Sequence, residues 1–148
     1  MQNMEQLNID ELFEKAVAFV CDGKYEEATN IYLYILKKQP RHYMSCEKLA
    51  DLEILQGNYD AARKYLRKYL HINSLNSEIW AKLGDTYFCQ GGYLKAVKYY
   101  KKSLAINPDA YWVYHNAGLA FIKSNNKGYL MAARTCFRNA LKLNRKYA

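Results

Sequence analysis

Small and aromatic residues recur along this sequence at a fixed interval of 34 residues. Five series keep this step: Gly23, Gly57 and Gly91; Tyr25, Tyr59 and Tyr93; Ala28, Ala62 and Ala96; Leu36, Leu70 and Leu104; and Ala16, Ala50, Gly84 and Gly118. A period of this length is typical of repeat proteins, in which each unit buries its apolar side against its neighbours. The repeat therefore predicts a stack of similar units.

Each period contains the pattern of two amphipathic helices. In the third period Trp80, Leu83 and Tyr87 are spaced by three and four residues, which places them on one side of a helix. Gly91 follows as a residue suited to the positive φ of a helix C-terminus. A second amphipathic stretch then runs to Pro108, which cannot continue a helix. The pattern predicts a helix–turn–helix unit.

The third period resembles the tetratricopeptide repeat. It carries that family's W–LG–Y–A–Y–P signature at Trp80, Leu83, Gly84, Tyr87, Ala96, Tyr100 and Pro108. The resemblance implies an all-α fold, a right-handed superhelical solenoid of four helix–turn–helix repeats. The repeats would span residues 9–42, 43–76, 77–110 and 111–147, within a single domain of residues 1–148.

The fourth copy keeps the pattern only if its turn is longer. Gly118 and Phe121 match the first helix, whereas Ala133 and Phe137 match the second helix with three residues inserted between. Asn, Lys and Gly over residues 124–128 are loop formers. We therefore expect an extended turn in this repeat.

The sequence indicates neither catalysis nor a metal or other cofactor. Nucleophile, phosphate-loop and metalloprotease motifs are absent. The four cysteines, Cys21, Cys46, Cys89 and Cys136, are 25, 43 and 47 residues apart, and no pair has the close spacing of a zinc or redox site. Neither a secretory signal nor an apolar stretch long enough to cross a membrane is apparent. We expect a non-enzymatic, cytoplasmic protein.

The family resemblance also implies a binding surface. In tetratricopeptide repeats the first helix of each copy lines a concave groove through its second, fifth, ninth, twelfth and thirteenth positions. Of the twenty residues at these positions, the candidate groove residues are Asp10, Phe13, Val17, Met44, Glu47, Asp51, Glu78, Asp85, Phe88, Trp112, His115 and Leu119. Because the set is apolar and mildly acidic, we expect a protein ligand, an extended or helical segment with apolar anchors and some positive charge.

The formal net charge of +8 is distributed unevenly. Residues 1–76 hold 10 Lys and Arg against 11 Asp and Glu, whereas residues 77–148 hold 12 against 3. Outward positions of the second helices form a candidate basic convex face: Lys64, Arg67, Lys68, Lys98, Lys101 and Lys102. This face either keeps the protein soluble or docks an acidic protein, nucleic acid or anionic membrane.

Base stacking on tyrosines is disfavoured because most tyrosines hold packing positions of the repeat: Tyr25, Tyr32, Tyr59, Tyr87, Tyr93 and Tyr100. Nucleic-acid and membrane partners are therefore less favoured than a protein partner. A secretion-type or assembly chaperone is an alternative on the same fold. Self-association through the last repeat is a further alternative, since Phe137, Ala140 and Leu143 would have no following repeat to cover them.

Overall fold

The computed structural model describes residues 4–147, and of Tyr147 only the backbone. These residues form α-helices, two short 3-10 helices and turns, in agreement with the predicted all-α class. The helices are α1 (Ile9–Cys21), α2 (Tyr25–Lys38), α3 (Tyr43–Leu55), α4 (Tyr59–Ile72), α5 (Ser77–Cys89), α6 (Tyr93–Ile106), α7 (Tyr111–Lys123) and α8 (Leu130–Tyr147). The 3-10 helices are Met4–Gln6 and Lys127–Tyr129.

The helices pack in consecutive antiparallel pairs that follow the 34-residue period. Within a pair, α1 contacts α2, α3 contacts α4, α5 contacts α6 and α7 contacts α8. The chain divides into two compact units, the first ending at Ile72 and the second beginning at Asn73. In the first unit α2 also packs on α3, and in the second α6 packs on α7. The assignment of residues 1–148 to a single domain stays a prediction.

The first three helix pairs turn in the same way. Gly23, Gly57 and Gly91 have φ of 73°, 77° and 79°, a conformation that glycine adopts without steric cost. The amide of Gly23 donates to the Val20 carbonyl at 3.1 Å, and the next amide, of Lys24, reaches back to Phe19 at 2.8 Å. This pair of bonds is a Schellman motif, and equivalent bonds close the turns at Gly57 and Gly91.

The turn of the fourth pair is longer, as the sequence predicts. Six residues separate α7 from α8, where three separate the helices of each earlier pair. Asn125, with φ of 53°, takes the left-handed conformation that a glycine holds elsewhere. The short 3-10 helix Lys127–Tyr129 fills the added length. The three-residue insertion is confirmed.

Close approach within each pair depends on a small residue facing a large one. A Cβ atom built on Gly84 would lie 2.7 Å from the Tyr100 ring, and one on Gly118 would lie 2.8 Å from the Phe137 ring. Ala16 and Ala50 hold the same position in the first unit and are fully buried. The predicted small residues of the second helices, Ala28, Ala62, Ala96 and Ala133, are also buried.

The predicted packing role of the tyrosines is only partly correct. Tyr32 and Tyr100 are almost completely buried, whereas Tyr25 is 37% exposed because it begins α2 next to the turn. Tyr59, Tyr87 and Tyr93 are half-buried. Tyr69, which lies outside the predicted set, is buried at 3% exposure and packs edge-on against Tyr43.

We predict that Gly84→Ala destabilises the protein by about 1–3 kcal/mol, because the new methyl overlaps a buried ring that cannot move aside. The second repeat combines Ala50 with Leu66 at the positions of Gly84 and Tyr100. The cost of Gly84→Ala should therefore be smaller in a Tyr100→Leu background. Urea unfolding of the double-mutant cycle measures this coupling, and equal costs in both backgrounds would contradict the packing.

Candidate protein-binding face

The predicted groove residues fall into two sets, one in each unit. We call those of α1 and α3 the first-unit face and those of α5 and α7 the second-unit face. The first-unit face comprises Asp10, Phe13, Val17, Met44, Glu47 and Asp51, and the second-unit face comprises Glu78, Asp85, Phe88, Trp112, His115 and Leu119. Each side chain is exposed or half-buried, so each face is accessible within its own unit.

The first-unit face combines exposed apolar side chains with carboxylates. Val17 is 36% exposed and Met44 is 43% exposed. Asp10 is exposed in the first turn of α1, and Glu47 and Asp51 are half-buried on α3. Together they present apolar contact area beside negative charge.

Phe13 is half-buried on this face and packs against two other rings. Its ring lies 5.6 Å from the Tyr32 ring and 5.5 Å from the His42 ring, in tilted arrangements.

The Tyr32 hydroxyl is buried and has no hydrogen-bond partner among the described residues. Burial, reinforced by the charge of Asp51, raises the pKa of Tyr32 to about 12. The phenol therefore keeps its proton over the whole physiological range.

The second-unit face is organised around Asp85. Its Oδ1 accepts a hydrogen bond from the Tyr100 hydroxyl at 2.6 Å and another from Asn116 Nδ2 at 3.4 Å. Burial raises the pKa of Asp85, and these two bonds and the charge of Lys82 partly offset that effect. The network joins α5, α6 and α7 and fixes the orientation of the carboxylate.

Phe88 also lies on the second-unit face, with its ring edge-on to Tyr93 at 5.3 Å between centroids. Glu78 is exposed in the first turn of α5, whose N-cap is Asn76. Leu119 is half-buried on α7.

Trp112 and His115 lie against α8. The His115 ring meets the Phe137 ring at 5.6 Å between centroids and 62° between planes. With Tyr111, Leu141, Ala140 and Asn144 they line an open cleft of about 380 Å³ between α7 and α8. We call this cleft the terminal cleft. It brings together two residues that the sequence assigns to the groove and apolar residues that it assigns to the uncovered end of the array.

The candidate basic convex face is exposed at all six of its positions. Lys102 also packs on an aromatic stack, with Nζ 4.5 Å from the Trp80 ring centroid. In this stack Tyr99 is parallel to Trp80 and Tyr87, at 6.2 Å and 5.3 Å between centroids. Lys95 lies over Tyr87 at 5.7 Å. Tyr99 lies outside the residues predicted from the sequence, although Trp80 and Tyr87, seven residues apart on one side of α5, indicated an aromatic partner there.

Few features of the described residues suggest other chemistry. Over residues 4–147, no three His, Cys, Asp or Glu side chains come together as a metal site. The four cysteines are free, with Cys21 and Cys89 exposed. Among the described helices, none has the length and hydropathy needed to cross a membrane.

Comparison with known proteins places this geometry in a family. A family model described as the EMC2 TPR-like repeat domain matches residues 3–141. No curated protein matches the sequence significantly.

Several solved structures of MamA share the fold. A crystal structure of MamA has a TM-score of 0.86 and 22% identity, covering 95% of this chain and 80% of that one. MamA from Desulfovibrio magneticus RS-1 has a TM-score of 0.83 and 17% identity, covering 94% and 77%. MamA MSR-1 has a TM-score of 0.82 and 18% identity, covering 99% and 82%. These MamA proteins are tetratricopeptide repeat proteins, so the predicted all-α solenoid class is confirmed.

We predict that Asp85→Ala lowers the free energy of unfolding by about 1–3 kcal/mol, because the buried Tyr100 hydroxyl loses its acceptor.

Asp85→Asn keeps an acceptor oxygen and removes the charge. Since the folded-state pKa of Asp85 is raised, its contribution to stability falls as pH rises from its ordinary value of 3.8 through the folded value. Asp85→Asn should therefore gain stability relative to wild type between about pH 4 and pH 7.

Urea unfolding at both pH values measures this difference, and the difference between two proteins cancels the titration of all other groups. If the stability of Asp85→Asn relative to wild type falls or stays constant as pH rises, the burial of this carboxylate is contradicted.

Proposed function

Because the chain belongs to the family of EMC2 TPR-like repeat domains, we propose that it is a cytoplasmic, non-enzymatic scaffold whose first-unit face and second-unit face each bind a segment of a partner protein. The TPR-like repeat fold is that of protein–protein interaction scaffolds, which are generally non-enzymatic. An assembly chaperone is the version of this proposal in which the bound segment belongs to a subunit awaiting assembly.

The observation that carries the proposal is the pairing of exposed apolar side chains with carboxylates on the first helix of successive repeats. Val17 and Met44 are accessible in the first unit beside Asp10, Glu47 and Asp51. An accessible apolar patch with a charged rim is characteristic of a protein-interaction surface. The negative rim favours a partner segment that carries Lys or Arg beside its apolar anchors.

The second-unit face offers a pre-oriented carboxylate for such a segment. Asp85 Oδ1 accepts hydrogen bonds from the Tyr100 hydroxyl and from Asn116 Nδ2, and these two bonds orient the carboxylate. A half-buried carboxylate held in this way can accept a charge-assisted hydrogen bond without losing side-chain freedom on binding. Glu78, on the same helix, adds a second negative charge.

We predict that Met44→Lys weakens capture of the partner at least about tenfold, because it places a cation where an apolar anchor docks beside carboxylates. Leu33→Lys is the matched control, since Leu33 on α2 is also 43% exposed and lies outside both faces. The measurement is affinity capture from an extract of the source cells with quantitative mass spectrometry, after thermal unfolding has shown both variants folded.

The proposal expects one set of proteins that wild type and Leu33→Lys enrich equally and that Met44→Lys loses. Equal enrichment by all three proteins would contradict binding at the first-unit face.

The exposed cations of the basic convex face support a second candidate function, docking of nucleic acid or an anionic membrane. Lys98, Lys101 and Lys102 project from α6 without a carboxylate in their own helix. If this face docks polyanions, changing all three to Glu should weaken binding of a DNA duplex or of phosphatidylserine vesicles about tenfold or more at low salt. Gel shift and vesicle sedimentation measure this effect. Binding that is unchanged by the substitutions or by added salt would exclude this function.

A further inference from the structure

The second unit contains two helix pairs with equivalent residues in different environments. The pair α5–α6 is covered by α7, which contributes Val113 and Ala117 to a core cluster with Ala81, Val97 and Tyr100. The last three are 0%, 4% and 1% exposed. One helix, packed through small and apolar residues, therefore seals the open side of the α5–α6 pair.

The pair α7–α8 has the same surface without such a cover in residues 73–147. The residue equivalent to Ala81 is His115, which is exposed, and the one equivalent to Tyr100 is Phe137, which is half-buried. Leu141, equivalent to the half-buried Leu104, is 58% exposed. Trp112 adds an indole that is 38% exposed. The terminal cleft is therefore an apolar surface on which a helix could pack, and it corresponds to the surface of α5 and α6 that α7 covers.

The charged residues of α7 and α8 are all basic. Residues 110–148 contain seven Lys and Arg and no Asp or Glu. Val97, which is buried beneath α7, is replaced by exposed Arg134 at the equivalent position. Along α8, Arg134, Arg138 and Arg145 lie three or four residues from Phe137 or Leu141, on the same side of the helix. By this spacing, the exposed arginines of α8 flank the residues of the same helix that line the cleft.

We propose that the terminal cleft binds an acidic amphipathic helix of a partner protein, docked on α7 and α8 as α7 docks on α5 and α6. Its apolar side fills the cleft against Trp112, Phe137 and Leu141. Its Asp and Glu residues pair with the arginines of α8, which a planar guanidinium does with two hydrogen bonds. This site shares Trp112 and His115 with the second-unit face but extends onto α8, and its ligand carries negative charge, whereas the ligand of the proposed binding faces carries positive charge.

A second copy of the chain fits the cleft less well. Its first helix, α1, carries Glu11 and Lys15 at the positions where α7 carries Val113 and Ala117. If copies stacked end to end, the charges of Glu11 and Lys15 would be buried against an apolar surface, and the desolvation of these charges would weaken the association. Self-association is therefore an outcome that the experiment must separate from partner binding.

The probe is a fluorescent 15-residue peptide that copies residues 110–124, with Glu at the positions that α7 exposes and with Val113, Ala117, Ala120 and Phe121 retained. An isomer with the apolar residues scrambled is the control peptide. We expect the first peptide to bind wild type in fluorescence anisotropy. Leu141→Glu should lower its affinity about tenfold or more, because it places a carboxylate in the cleft.

Met131→Glu is the matched protein control, since Met131 is a 68% exposed apolar residue of the same helix that does not line the cleft. It should change the affinity by no more than about twofold. Arg138→Glu, or a rise from about 50 to about 300 mM NaCl, should weaken binding several-fold. Met44→Lys should leave binding of the peptide intact, so failure of the proposed function and failure of this inference are distinguishable.

The proposal is overturned if wild type does not bind the peptide, if the scrambled isomer binds equally well, or if Met131→Glu weakens binding as much as Leu141→Glu. Light scattering of the chain alone gives a further independent outcome. A dimer that Leu141→Glu dissociates would assign the cleft to a second copy and would also overturn the proposal.

Discussion

The structure depends on the close approach of two helices at a small residue that faces a large ring. Gly84 against Tyr100 and Gly118 against Phe137 leave no room for even a methyl group. In these two pairs the close approach buries the sides of the helices that face each other. The other sides of the two helices are available for packing on a neighbouring repeat or for binding a partner. The candidate binding surfaces lie on these other sides.

Charge distinguishes the surfaces that remain accessible. The first-unit and second-unit faces carry carboxylates at Asp10, Glu78 and Asp85, beside exposed apolar residues. The terminal cleft has a similar apolar character, and the helix α8 that forms one side of it carries three exposed arginines. The acidic faces and the terminal cleft both offer apolar contact area but differ in the sign of their charge. They are therefore suited to protein segments of opposite charge. A scaffold built in this way can hold one partner on α1 and α3 and another at its last helix pair.

Sequence reasoning predicted the helix register because the 34-residue period constrains many positions at once. The glycine turns and the insertion before α8 followed from the same period. The hydrogen bonds of Asp85 could not be predicted from the sequence. Tyr100 and Asn116 lie 15 and 31 residues away from it, and each reaches Asp85 only because α5, α6 and α7 have particular orientations about their own axes. The exposure of Tyr25 was not predicted, because the position of a residue in the repeat does not determine how much of its side chain neighbouring helices cover. The roles of the candidate binding residues stay predictions.

Hydrogen–deuterium exchange of the chain, alone and with a captured partner, tests the central claim most directly. If the first helices of the repeats form the binding surface, slowed exchange should concentrate in peptides of α1, α3, α5 and α7. Peptides of α2, α4 and α6 should exchange at the same rate with and without the partner. Protection confined to α2, α4 and α6 would contradict the account, because it would place the partner on the basic convex face.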